Sequence, residues 1–219
     1  MAIKNLQQGV TLIELIIVVA IFGIVSSILL FNFSDFSTNV SLRNLTQEMA
    51  LAMRKAQTYA TSVRGANASA LSSYPAYGIS FSIENQTGAY VPNSKNFVIF
   101  ADIPNTGDIV GNKLYDNNGT CGIPQSGDEC VESLGIATAD KIVGLTYIDG
   151  NGDVQYACGS LSATCMVNVL FHRPSPDADI CVVQGSTCEQ ISNLNVVLRS
   201  AKGLEKTVSV WNTGQISTR

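Results

Sequence analysis

Asp149, Asn151 and Asp153, at every second position, give the D-x-N-x-D order that opens a calcium loop. Such a loop needs Gly at its sixth place and Glu at its twelfth, and Val154 and Ser160 stand there instead. A tight hairpin turn through Gly150 and Gly152 is the reading that fits. His172 is the single histidine, set in Phe171-His172-Arg173-Pro174. One imidazole makes no metal cluster, and no G-x-S-x-G or similar nucleophile setting accompanies it. A plain place at a strand end is expected. No phosphate-cradling glycine loop occurs either. The expectations are therefore no metal, no cofactor and no enzymatic turnover.

The six cysteines, Cys121, Cys130, Cys158, Cys165, Cys181 and Cys188, all lie in the second half of the chain. Zinc sites favour C-x2-4-C pairs, and none is present. An even, clustered set fits disulfides formed in an oxidising compartment. The separations of 9, 7 and 7 residues suggest three local staples, 121–130, 158–165 and 181–188. Arg199, Lys202, Lys206 and Arg219 crowd the end of the sequence against one acid, Glu205. A solvated face is the plain reading of that cluster, and a face for DNA is the sharper one. The net charge of −4 argues against a general binder of phosphate backbones.

Glu14 is the anomaly. It sits among Val10, Leu12, Ile13, Leu15 and Ile16, at the head of an apolar run that ends at Phe31. Residues 10–31 form a stretch of 22 residues, about 33 Å as a helix and close to the roughly 30 Å hydrocarbon core of a bilayer. In lipid the backbone must bond to itself, so helix is the only option for a single span. A carboxylate at that depth costs about 2.5–3.5 kcal/mol and calls for a partner. No Lys or Arg lies between Lys4 and Arg43. Either Glu14 reaches the interface, or a cation must come from elsewhere, such as a new N-terminal amine just before Val10. No small-residue cleavage site follows Phe31, so an ordinary removable secretory signal is disfavoured.

The string Gly9-Val10-Thr11-Leu12-Ile13-Glu14-Leu15, behind a short leader with Lys4, resembles the type IV prepilin signature. The resemblance covers roughly the first 35 residues. It implies cleavage between Gly9 and Val10 by a prepilin peptidase, N-methylation of Val10, and a role for Glu14 in neutralising the N-terminal amine of a neighbouring subunit. It implies insertion in the inner membrane with the N-terminus cytoplasmic and the head outside, then a place in a filament. Val10 replaces the commoner Phe. Many major pilins carry a helix-breaking proline in the span, whereas the first proline here is Pro75.

Downstream, Leu42, Leu45, Met49, Met53, Ala56 and Ala60 recur at spacings of three and four, an amphipathic helix continuing to about Gly65 and packed on a sheet. Beyond Pro75 the pattern turns to strands, at 77–83, 96–101, 141–149, 154–157, 166–173, 179–183, 193–200 and 206–211, with a short one near 215–217. Residues 102–140, with seven acids and one base, read as a long loop open to display, docking or cation binding. The expected fold class is α+β. Its parts are a leader (1–9), a membrane-spanning assembly helix (10–31), an amphipathic helix (32–65) and a β-rich extracytoplasmic head (66–219). The terminal KTVSVWNTGQISTR also resembles the closing hairpin of minor pilins and pseudopilins of the type II secretion H-subunit class. The leading expectation is a minor structural subunit of a type IV pilus or secretion pseudopilus. The alternative is a membrane-tethered binding head, an adhesin or a DNA receptor.

Overall fold

A computed structural model describes residues 11–62, 65, 75–83, 95–104, 111–116, 121–122, 129–157, 165–184 and 187–219. The side chains of 29–32, 34, 83, 165, 184 and 187 lie outside that description. The chain divides into two compact units, residues 1–40 and 41–219.

Among the described residues one helix, α1 (Leu12–Thr61), is followed only by strands. These are β1 (Ala76–Ile83), β2 (Asn96–Asp102), β3 (Cys130–Gly135), β4 (Lys141–Ile148), β5 (Val154–Tyr156), β6 (Cys165–Phe171), β7 (Ala178–Gln184), β8 (Thr187–Ile191), β9 (Asn193–Arg199), β10 (Glu205–Trp211) and β11 (Ile216–Thr218). The first sheet has the order β3-β2-β1-β6-β7-β8, and the second β11-β10-β9-β4-β5. Every pairing is antiparallel.

The predicted amphipathic stripe is the hub of the core. Leu42, Leu45, Met49, Met53, Ala56 and Ala60 are all buried. They share one apolar cluster with Ile79, Phe81, Val167 and Val169 of the first sheet and Leu145, Val196, Leu198 and Val208 of the second. Polar contacts fix the helix at several heights. Ser41 Oγ donates to Asp140 Oδ2 at 2.6 Å. Lys55 pairs with Glu132 of β3, and that hydrogen bond raises the lysine's pKa. Gln57 Nε2 donates to the carbonyls of Pro176 at 2.9 Å and Gly214 at 3.2 Å. Tyr59 meets Tyr77 edge-on at 5.7 Å.

The α+β class and the helix-on-sheet packing agree with expectation. Two strands were not foreseen. β3 lies inside residues 102–140, read from sequence as loop, and β8 precedes β9 where no strand was expected. They form the two edges of the first sheet. Among the described residues, no helix is long and apolar enough to cross a membrane. In the apolar part of α1 the described side chains run from Leu12 to Ile28, whereas the expected span of 10–31 extends past both ends.

Candidate functional site

The helix start is built from Thr11 and Glu14. Thr11 Oγ1 accepts the Glu14 backbone N–H at 3.3 Å, and the Thr11 carbonyl accepts the Leu15 N–H at 3.1 Å. Thr11 is thus the N-cap of α1, and Thr11-Leu12-Ile13-Glu14 follows the S/T-x-x-E order of a capping box. Glu14 sits in the first turn, where a carboxylate is favoured by the helix dipole. That local role was missed in the sequence, although the S/T-x-x-E spacing could have revealed it. Gly9 and Val10 lie outside the described residues. Beyond the cap, Ile13, Ile17, Phe22 and Ile24 are exposed, as are Phe33 and Phe36. A contiguous apolar surface of this kind marks an interaction site.

In the head, buried carboxylates fasten a long connection to the outside of the first sheet. Glu129 accepts the Ile103 N–H on Oε1 at 2.8 Å and the Asp116 N–H on Oε2 at 3.0 Å. Asp102 accepts the Lys113 N–H, at 3.3 Å on Oδ1 and 3.2 Å on Oδ2. The Lys113 carbonyl takes a bond from buried Asn168 of β6 at 3.1 Å, and its ammonium reaches Asp179 at 2.9 Å. Burial pushes Asp102 up to about 6, against the pull of the N–H groups of Lys113 and Asn112. Burial, helped by nearby Asp102, pushes Glu129 up to about 8, against the N–H groups of Asp116 and Ile103. The oxygens of this pair face the connection's own backbone, which makes them a latch. Among the described residues, no group of three or more His, Cys, Asp or Glu could hold a metal ion.

The Cys121–Cys130 bond pins the same connection beside Glu129, and Cys181–Cys188 ties β7 to β8. Both follow the expected local pairing. The 158–165 pair lies outside the described side chains. His172, just past β6, sits 3.2 Å from Asp179. The Asp149 turn is a hairpin between β4 and β5. Its Asp149 Oδ1 takes the N–H groups of Asn151 at 2.9 Å and Asp153 at 3.0 Å, and these bonds, led by Asp153, lower the Asp149 pKa. Of the terminal bases, Arg199 pairs with Glu205 at 2.6 Å.

The family model described as the prokaryotic N-terminal methylation motif matches residues 4–30. That stretch contains the Thr11 cap, Glu14 and most of the exposed apolar surface. The chain thus carries a prokaryotic N-terminal methylation motif, at the place where its sequence resembles the type IV prepilin signature. Among curated proteins and among solved structures, nothing matches the chain.

Proposed function

We propose that this protein is a structural subunit, of the minor class, of a type IV pilus or type II secretion-like filament. The observation that carries the reading is the methylation motif over residues 4–30. A prepilin peptidase cuts between Gly9 and Val10 and methylates the new amine. The helix over residues 10–31 holds the precursor in the inner membrane and then leaves lipid for a bundle of like helices. Exposed Ile13, Ile17, Phe22 and Ile24 support that exchange, since lipid and neighbouring helices can cover them equally well. Glu14 meets a neighbour's amine there, so that two charges each costly in an apolar bundle become tolerable together. The Cys121–Cys130 and Cys181–Cys188 bonds support a head outside the cytoplasm. The closing β10–β11 hairpin favours the minor class. The work of the chain is assembly, not turnover.

The test is incorporation. The full chain is produced with the other subunits, with and without an active prepilin peptidase, and sheared filaments are probed for it. The reading expects the chain in filaments only when the peptidase is active. Equal amounts in both fractions, or none in either, would count against it.

A further inference from the structure

We propose that the end of the head where the chain enters it is a docking surface for an anionic phospholipid bilayer. The inference rests on the membrane anchoring read above. Arg43, Lys141, Arg199, Lys202 and Arg219 are exposed and Lys206 is half-buried. The fold gathers them at one pole. Ser41, the first residue of the second unit, bonds to Asp140 at 2.6 Å, which sets Lys141 beside the entry point. Arg43 follows within the same helical turn. Lys141 is the register partner of Arg199, and Arg199 of Glu205. Lys202 lies in the turn between β9 and β10. The backbones of Arg219 and Thr207 exchange hydrogen bonds of 2.9 and 3.0 Å, which sets Arg219 next to Lys206.

Asp140 and Glu205, the acids next to these bases in sequence and strand register, are both engaged. Asp140 is buried and takes the hydroxyls of Ser41 and Thr138, at 2.6 and 2.7 Å. Glu205 is held by Arg199. A chain of net charge −4 therefore carries a basic pole, and it lies where the tether joins. Ser41 follows Phe31 by ten residues, so the chain itself tethers this pole close to the anchor. Long Lys and Arg side chains carry their charges outward toward a surface held that near. Clusters of bases next to a membrane anchor are drawn to anionic headgroups in this way. A bilayer meets this pole alone, whereas a nucleic acid would also run past the acidic remainder.

The experiment places the full chain in nanodiscs of phosphatidylcholine alone, or with about a third phosphatidylglycerol. It reads retention by the discs and backbone amide exchange over residues 199–207. Retention is expected in both discs, with exchange slowed roughly threefold or more by the anionic lipid and restored by high salt. The combined variant Lys141→Gln, Lys202→Gln, Lys206→Gln and Arg219→Gln should lose the slowing and keep the wild-type exchange in neutral discs. Equal exchange in both discs, with the chain retained, overturns the inference and leaves the anchoring intact. Failure of the chain to stay in neutral discs overturns the anchoring and takes the inference with it. Slowing by an added DNA duplex, with none from anionic lipid, makes the pole a nucleic-acid face and overturns it too.

Discussion

Glu14 has two jobs to choose between, and they separate by substitution. As part of the helix start it needs only a side chain that suits the first turn, and Gln serves there at the loss of the dipole interaction alone, about 0.3–1 kcal/mol. As partner of a neighbour's amine it needs its charge. Glu14→Gln should leave the helix intact yet cut recovery in sheared filaments at least about tenfold, because it strands the amine in an apolar bundle. Thr11→Ala removes the cap at a cost of about 1 kcal/mol and should leave recovery nearly unchanged. Equal recovery of Glu14→Gln and wild type would reduce Glu14 to a helix-start residue. In the head, Asp102 and Glu129 hold their protons more tightly folded than unfolded. The native state therefore binds more protons than the unfolded chain above the ordinary carboxylate range, and stability falls as pH rises. Asp102 contributes this loss up to about pH 6 and Glu129 up to about pH 8. The unfolding free energy should drop between pH 5 and pH 8.5 by on the order of a few kcal/mol in all, read as a falling urea midpoint. Asp102→Asn, which still accepts the Lys113 N–H, should remove the part of the fall below about pH 6 and leave the part due to Glu129. A midpoint that rises over this range would contradict the assignment.

At the scale of elements, the buried stripe of α1 carries the head. Met53 is fully buried at the centre of the shared cluster. Met53→Ala should cost about 2–5 kcal/mol, read as a lowered unfolding midpoint, whereas Leu51→Ala, on the exposed side, should cost little. The β10–β11 hairpin depends on Gly214, whose φ of +76° and close approach to the Pro176 carbonyl leave no room for a side chain. The helical stripe was legible in sequence because its apolar residues recur every three or four places. The central strands were legible because residues such as Val167, Val169 and Phe171 alternate. β3 and β8 were not. Each is an edge strand with a neighbour on one side only, so its sequence (CVESLG, TCEQI) need not be apolar on alternate places. The latch was illegible for another reason. Asp102, Lys113 and Glu129 are distant in sequence, and only the folded connection brings their backbone and carboxyl groups together.

At the scale of the molecule, the sequence divides the labour as the two units do. The described part of the first unit is largely apolar and exposed, with Glu14 in the first turn of its helix. The second has its own core, two described disulfides and a basic pole beside its entry point. The motif over residues 4–30 was legible because it is continuous in sequence. The basic pole was only half legible. Arg199, Lys202, Lys206 and Arg219 cluster in the chain, while Arg43 and Lys141 join them only through the Ser41–Asp140 bond and the β4–β9 register.

The central claim is that the chain is processed as a prepilin, and the most direct measurement is the mass of its intact N-terminal peptide. The protein should be isolated from cells that make an active prepilin peptidase. The account predicts a chain that begins at Val10 with a methylated amine. A chain that still begins at Met1, or one cut after Phe31, would contradict it.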